Sequence, residues 1–145
     1  MSGLKTRFRK AEVSPGFLLW KASNLLQRMH SGCLSDLNIT PAQFSLMTCL
    51  VYLHQHGPVT ASRIVDHAGM DKMMVSDLIK TLVRKKLVKR KPNPGDGRSF
   101  LLAPTQLGEA TTNSAVLKIE ALDAEFFTKV NDIASFHKDL ASLVG

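Results

Sequence analysis

The chain has 145 residues, which is enough for one domain with a hydrophobic core. Hydrophobic residues make up 44% and charged residues 21%, so disorder along the whole chain is not expected. A formal net charge of +7 favours a polyanionic partner, which is DNA, RNA or an acidic membrane, without choosing among them. The two cysteines, Cys33 and Cys49, have neither a disulfide nor a zinc spacing, which is typical of a reducing compartment.

The sequence predicts neither a signal peptide nor a transmembrane span. The apolar run after the basic N-terminus, residues 17–20, stops at Lys21 and is too short for a signal core. The best apolar stretch, residues 46–53, is too short to cross a bilayer. We therefore expect a soluble, cytoplasmic protein with no membrane partner.

Capping residues divide the chain into helices. Residues 1–13 carry four basic side chains and are predicted to form a flexible basic arm. A first helix begins at Ser14 and Pro15, which suit the N-cap and the first helical position, and it runs to about Leu37. The later helices are predicted to begin at Thr40, Thr60, Asp71, Thr105 and Asn131.

The helix that starts at Asp71 has two different sides. Its apolar side contains Met70, Met74, Val75, Leu78, Ile79 and Leu82. Its other side contains Lys72, Met73, Ser76, Asp77, Lys80 and Arg84. With the short helix before it, joined at Gly69, it makes a helix-turn-helix whose second helix can pack by one face and read bases by the other.

A hairpin is predicted after this helix. Residues 87–91 alternate apolar and basic side chains like a half-exposed strand, residues 92–97 are dense in turn formers, and residues 99–103 form the returning strand. Arg98 lies at the tip, where it can enter the narrow, negative minor groove. The basic run next to the hairpin consists of Arg84, Lys85, Lys86, Lys89, Arg90 and Lys91. These cations would hold phosphates, and the alternative interpretation is that they form a solvated basic face.

The last two helices carry apolar positions at helical spacing. In the long helix these are Leu107, Ala110, Ser114, Leu117, Leu122 and Phe126. In the last helix they are Ile133, Phe136, Leu140 and Leu143.

Residues 40–109 resemble the MarR family of bacterial winged-helix regulators. The resemblance is carried by Thr40-Pro41-Ala42-Gln43-Phe44, Ala68-Gly69-Met70-Asp71-Lys72, Val75-Ser76, Leu82, Leu87-Val88, Arg90, Pro94, Asp96-Gly97-Arg98, Thr105 and Gly108. Its most specific part is the Asp-x-Arg hairpin that follows a Leu-Val-x-Arg strand. The flanking helices also fit, so nearly the whole chain is covered.

The resemblance implies a mainly α-helical fold with a small β-hairpin wing. A winged helix-turn-helix DNA-binding domain would span residues 39–105, and residues 14–38 and 106–145 would form a helical dimerisation region. The implied function is that of a homodimer which binds a double-stranded DNA operator and represses transcription until a small aromatic ligand releases it. The resemblance implies no cofactor and no enzymatic activity.

The resemblance also assigns roles by position. The residues that would face the major groove are Lys72, Met73, Met74, Ser76, Asp77 and Lys80. Those that would approach phosphates are Thr60, Ser62 and Arg63, beside Arg84, Lys89 and Arg90 of the basic run described above. Asp96 would orient Arg98 by a charge-assisted hydrogen bond. Dimer contacts would come from Phe17, Trp20, Leu25, Phe126, Ile133, Phe136 and Leu140.

Four departures from the family pattern lie in the DNA-binding region, and one of them is Ala103-Pro104-Thr105 in place of the usual Leu-Thr entry into the long helix. Asp77 stands where many relatives have Arg, and it can accept a hydrogen bond from cytosine N4 but repels phosphate. Lys86 replaces the usual Gly at a left-handed turn, which costs a non-Gly residue on the order of 1 kcal/mol. Gly97 stands where a second Arg is common, which predicts a weaker wing contact.

Two other functions are compatible with these departures. One is a protein-interaction module on the same fold that has lost DNA binding, and the other is an RNA or non-specific nucleic-acid binder. No sequence motif of an enzyme is present. His54 and His56 point to different sides of a helix, and His30 with Cys33 lacks a third ligand, so no metal site is predicted.

Overall fold

The computed structural model describes residues 3–145, so the first two residues of the predicted basic arm lie outside the described residues. The described chain forms helices α1 (Pro15–Leu34), α2 (Pro41–His54), α3 (Ala61–Ala68) and α4 (Lys72–Arg84), strands β1 (Val88–Asn93) and β2 (Asp96–Pro104), and helices α5 (Gln106–Phe126) and α6 (Ile133–Val144). This mainly helical architecture with one antiparallel hairpin confirms the predicted fold class.

Side-chain caps fix where the helices begin. Each of the six helices has a polar N-cap whose side chain accepts a hydrogen bond from a backbone N–H of the first turn: Ser14, Thr40, Thr60, Asp71, Thr105 and Asp132. At Thr40 the cap is reciprocal, since Gln43 Oε1 also accepts from the Thr40 N–H at 3.2 Å. The predicted start at Asn131 was wrong by one residue, because Asp132 supplies the capping oxygen.

The first helix is shorter than predicted. It ends at Leu34, and residues Ser35–Leu37 continue as a single 3₁₀ turn. Asn38 then takes a left-handed conformation with φ 55°, which Asn tolerates better than most residues. This reversal separates α1 from the capped start of α2.

The hydrophobic core is centred on α2. Leu46, Met47 and Leu50 are almost fully buried there, and α1, α3, α4, α5 and strand β2 pack against this helix. The remaining core residues are Leu34, Ile39, Leu53, Val59, Ile64, Val75, Ile79, Leu82, Leu87, Val88, Leu102, Ala115 and Ile119. Because α3, α4 and the hairpin all contribute to this one cluster, they are held in a fixed mutual arrangement.

Helix α5 packs by a face that the sequence analysis did not predict. The buried residues are Gly108, Thr112, Ala115 and Ile119, whereas Leu107 and Leu117 of the predicted stripe are exposed. The physical reason is close approach: a Cβ added to Gly108 would collide with the backbone carbonyl of Leu87. Small side chains let α5 lie directly against the start of the hairpin, so the smaller residues rather than the leucines face the core.

The hairpin is longer and its turn is tighter than predicted. Strands β1 and β2 pair from Val88 with Pro104 out to Asn93 with Asp96, with an irregularity after Pro92, so only residues 94–95 form the turn. The six-residue turn predicted for residues 92–97 was therefore wrong. A bridge from the Leu102 N–H to the Val59 carbonyl, at 2.8 Å, joins the hairpin to the segment before α3.

Candidate nucleic-acid interface

Helices α3 and α4 form the predicted helix-turn-helix around Gly69. Gly69 has φ 64°, a left-handed conformation that suits glycine, and its N–H donates to the Val65 carbonyl at 2.9 Å. Two residues later Asp71 caps α4 by accepting from the Met74 N–H at 3.0 Å. The tight turn and the cap together fix the direction in which α4 leaves α3.

Helix α4 has one buried face and one exposed face. Val75, Ile79 and Leu82 are buried in the core. The opposite side, at spacings of three and four residues, carries the exposed residues Met73, Asp77, Lys80 and Arg84. Lys72 and Ser76 are also exposed beside this row. The arrangement leaves one complete helical face free to enter a groove.

The sequence predicted Met74 on the apolar side of α4, but in the structure this residue is not buried. Its side chain is 43% exposed and flanks the exposed row, while Met73 is 75% exposed. The position follows from the helical period, because Met74 lies about 100° away from the buried Val75. Its predicted place among the residues that face DNA remains compatible with this exposure.

The capping segment of α3 is held by its own side chains. Thr60 Oγ1 accepts from the Arg63 N–H at 3.3 Å, so the hydroxyl has a structural role. Arg63 Nη1 donates to the Pro58 carbonyl at 2.7 Å, which anchors the guanidinium near the start of α3. The neighbouring Ser62 is exposed. Arg63 keeps further N–H donors for a second acceptor such as a phosphate.

The end of the wing is built around Asp96 and Arg98. Arg98 is an exposed residue of β2 near the end of the hairpin, three positions beyond the turn residue Gly95 and between the paired residues Asp96 and Phe100. Asp96 Oδ1 accepts from the backbone N–H of Arg98 at 2.9 Å, so the charge-assisted hydrogen bond expected between these two residues is made to the backbone. Asp96 therefore shapes the backbone of the wing, as Asp does in turns, and leaves the Arg98 side chain free to reach outward.

One cation of the basic run is turned inward. Lys85 Nζ donates to the Asn38 carbonyl at 2.7 Å and to Gln43 Oε1 at 3.0 Å, so its predicted role in holding phosphate was wrong. The exposed members of the run are Arg84, Lys86, Lys89, Arg90 and Lys91. Sequence reasoning missed the inward Lys85 because nothing in the local pattern separates it from its neighbour Lys86.

Arg90 rests on an aromatic ring of the neighbouring strand. Its guanidinium lies 5.0 Å from the centre of the Phe100 ring, within cation–π distance. The contact stiffens an otherwise flexible side chain on the face of the hairpin. Lys89 beside it is exposed.

Of the seven predicted dimerisation residues, four are exposed and three are half-buried on the single chain. On α1, Trp20 is 69% exposed and Phe17 and Leu25 are also exposed. On the C-terminal helices, Ile133 is exposed while Phe126, Phe136 and Leu140 are half-buried. Large exposed apolar side chains that are grouped on the terminal helices are typical of an interface.

The other reactive side chains among the described residues do not group into a metal site. Over residues 3–145, no cluster of three or more His, Cys, Asp or Glu side chains could hold a metal ion. His30, which was considered with Cys33, instead pairs with Asp123, with 2.6 Å between Nε2 and Oδ1. Burial raises the pKa of the Cys49 thiol above its ordinary value, which disfavours the reactive thiolate. None of the helices in the described range is long and apolar enough to span a bilayer.

Comparisons with known proteins agree with this geometry. The model of the MarR family matches residues 39–100. YdcH of Bacillus subtilis, an uncharacterized HTH-type transcriptional regulator, is 33% identical over 140 residues, which cover 96% of this chain and 95% of that protein.

Solved structures share the fold. A mutant MarR from E. coli complexed with operator DNA superposes with a TM-score of 0.79 at 24% identity, over 92% of this chain and 96% of that one. CouR from Rhodococcus jostii RHA1 bound to p-coumaroyl-CoA gives a TM-score of 0.79 at 20% identity, over 94% and 95%. The arrangement of helices and wing is therefore the same in all three chains.

Proposed function

This chain belongs to the MarR family of transcriptional regulators, and from that premise we propose that it is a homodimeric repressor which binds a pseudo-palindromic DNA operator. In this proposal residues 39–105 form the DNA-binding domain, and residues 14–38 and 106–145 form the dimerisation region. The protein acts in the cytoplasm, without a cofactor and without a catalytic step.

The observation that carries the proposal is the free face of α4. Val75 and Ile79 anchor one side of the helix in the core, and the other side presents a row of long exposed side chains. A helix held in this way can lie in a major groove about 12 Å wide. Because the N-terminal part of such a helix contacts base edges, residues 72–77 are the proposed readers of sequence.

The wing and the basic run supply the backbone and minor-groove contacts in this proposal. Arg98 would enter the minor groove beside the α4 site, while Arg84, Lys89 and Arg90 would neutralise phosphates. Thr60, Ser62 and Arg63 would meet the backbone at the start of α3. The net charge of +7 favours all of these contacts.

Dimerisation follows from the exposed apolar surface of the terminal helices. Phe17, Trp20 and Leu25 of α1 would be covered by the partner, together with the apolar residues of α6. Two copies related by a two-fold axis present two α4 helices, so the half-sites should lie about one helical turn of DNA apart.

Release by a small aromatic ligand is the last part of the proposal. Its support is the ligand-bound relative CouR and a cleft of about 650 Å³ between the end of α2 and the hairpin, which is large enough for such a ligand. The cleft is lined by His54, Gly57, Pro58, Val59, Lys89, Arg90, Lys91, Leu101, Leu102 and Ala103, whose cations favour an anionic ligand. A bound ligand would act by changing the distance between the two α4 helices.

The test is to select genomic fragments on the purified protein and footprint the best one. We expect two protected half-sites whose centres are about 34–36 Å apart, as two-fold symmetry requires. Arg98→Ala should weaken binding to this fragment, with Lys118→Ala on the remote α5 as the matched loss of one charge. A footprint that is continuous and independent of sequence would overturn the proposal.

A further inference from the structure

The first two turns of α4 expose an unusual set of side chains for a surface that approaches DNA. Met73 is 75% exposed and Met74 is 43% exposed, although methionine usually fills a core. Asp77, four residues after Met73, is also exposed and forms no ion pair within the described part of the chain. Two apolar side chains and one carboxylate therefore stand together where bases would be read.

Packing does not explain these three residues. Met73 and Asp77 lie opposite the buried face formed by Val75, Ile79 and Leu82. Exposed apolar side chains next to one another signal a surface that is covered by a partner. A carboxylate on this surface also opposes general attraction to phosphates, so it weakens any binding that depends on charge alone.

Two groups on the base edges of the major groove are complementary to the two methionines and the Asp: an apolar methyl group and an amino group that donates hydrogen bonds. The thymine 5-methyl group is the apolar feature of its base edges, and the cytosine 4-amino group donates without an acceptor beside it on the same base. Guanine presents two acceptors there, which repel a carboxylate. A methionine pair and an Asp are thus complementary to pyrimidines.

We propose that α4 reads pyrimidines in each half-site, with Met73 and Met74 packing on thymine methyl groups and Asp77 accepting a hydrogen bond from a cytosine 4-amino group. Lys80 and Arg84 continue the same exposed row toward the end of α4 and hold the flanking phosphates. Their charges offset the repulsion between Asp77 and the DNA backbone. This inference rests on the proposed function, because it names the base edges read by that same interface.

The methyl contacts are tested by replacing thymine with uracil, one position at a time, in the selected operator. This change removes the 5-methyl group and leaves base pairing intact. Wild-type protein should lose about threefold to fivefold in affinity at each contacted thymine. Met73→Ala and Met74→Ala should lose this sensitivity at the position that each residue contacts. Lys80→Ala is the control, since it should weaken binding to both duplexes equally.

The Asp77 contact is tested by a change of base preference. Wild-type protein should prefer cytosine at one operator position by about fivefold to a hundredfold. Asp77→Asn should shift that preference to adenine, because an Asn amide can both donate a hydrogen bond to adenine N7 and accept one from the adenine 6-amino group. Asp77→Ala should bind all four bases within about twofold. A residue with only a structural role would not produce such a switch.

The outcomes separate this inference from the proposed function. If wild-type protein prefers no duplex sequence, the proposed function fails and takes the inference with it. If wild-type protein binds its operator specifically but thymine and uracil duplexes bind equally, the methionine contacts are excluded. If Asp77→Asn keeps the wild-type base preference, the cytosine contact is excluded. In both of these cases the repressor function stands.

Discussion

Lys86 occupies a backbone conformation that few residues other than glycine adopt. Its φ is 62°, and its N–H donates to the Val83 carbonyl at 3.0 Å, while the Leu87 N–H donates to the Leu82 carbonyl at 3.0 Å. These bonds end α4 and turn the chain directly into β1. The left-handed turn is thus what connects the recognition helix to the wing.

Lys86→Gly should raise the free energy of unfolding by about 1 kcal/mol. Glycine reaches this conformation without the clash between Cβ and the following carbonyl that a lysine suffers. Urea denaturation of the two proteins measures the difference. Gly69→Ala is the opposite substitution at a residue of similar conformation, with φ 64°. It should lower the free energy of unfolding by a similar amount. A lower stability for Lys86→Gly would show that the lysine side chain makes a contact worth more than the strain.

Gly108 is the second residue whose size decides the fold. It lies where α5 passes the Leu87 carbonyl, and Thr105 closes the same corner. The Thr105 N–H donates to the Leu87 carbonyl at 3.0 Å, and Thr105 Oγ1 donates to the Lys86 carbonyl at 2.6 Å. The wing and the long helix are therefore joined at one crowded point.

Gly108→Ala should lower the free energy of unfolding by about 1–3 kcal/mol, as overpacking does. The backbone carbonyl of Leu87 cannot move aside like the end of a flexible side chain. Gly32→Ala is the control within a helix, since no atom lies within 4 Å of the added Cβ. It should stabilise the protein by about 0.5–1 kcal/mol through helix propensity. Equal effects of the two changes in thermal or urea unfolding would refute the close approach.

At the scale of elements, Lys85 connects the end of α4 to the start of α2. Its ammonium group donates to the carbonyl of Asn38, which lies in the reversal after α1, and to Gln43 of the α2 capping box. The recognition helix is thus attached to the junction between the proposed dimerisation helix and the DNA-binding domain. This attachment keeps the direction of α4 fixed relative to α1.

Lys85→Met should lower the free energy of unfolding by about 1–3 kcal/mol, the range for hydrogen bonds from a charged donor. Methionine keeps much of the length of the side chain but removes both hydrogen bonds. Lys89→Met, an exposed neighbour in β1, should leave stability unchanged because its ammonium group forms no such bonds in the described structure. The idea fails if the two variants unfold at the same urea concentration.

The same elements show what could be predicted from the sequence. Caps and glycines are local signals, so the starts of α2, α3, α4 and α5 and the turn at Gly69 were predicted correctly. The face by which α5 packs was not predicted. It depends on the close approach of Gly108 to Leu87, which is set by the relative positions of two elements and not by a local pattern. The contacts of Lys85 with Asn38 and Gln43, and of His30 with Asp123, were missed for the same reason.

Only part of the proposed DNA interface could be predicted from the sequence. Exposure of Met73, Asp77 and Lys80 follows from the helical period and was predictable once the buried side of α4 was known. The backbone geometry of the wing was not predictable. The two-residue turn and the hydrogen bond from the Arg98 N–H to Asp96 depend on the register of the two strands.

At the scale of the whole molecule, binding to a two-fold symmetric operator requires a dimer. Trp20 is 69% exposed on the single chain, a large apolar surface for a side chain that prefers burial. Trp20→Glu should convert a dimer of two 16.0 kDa chains into monomers, because a charge would be buried without a partner. Analytical ultracentrifugation measures the mass.

The matched control for this change is Tyr52→Glu, an exposed aromatic residue of α2 outside the terminal helices. It should leave the mass of the dimer unchanged. Since each monomer reaches one half-site, Trp20→Glu should also lose most of the affinity for the operator. A wild-type protein that sediments as a monomer would contradict the proposed assembly.

Sequence-specific recognition of DNA is measured by comparing the affinities of the protein for two duplexes. The purified protein is titrated with its best selected operator and with a scrambled duplex of equal composition, each at two salt concentrations. We expect a preference of about a thousandfold or more for the operator, with both affinities falling as the salt concentration rises. Equal and salt-sensitive binding to the two duplexes would contradict it.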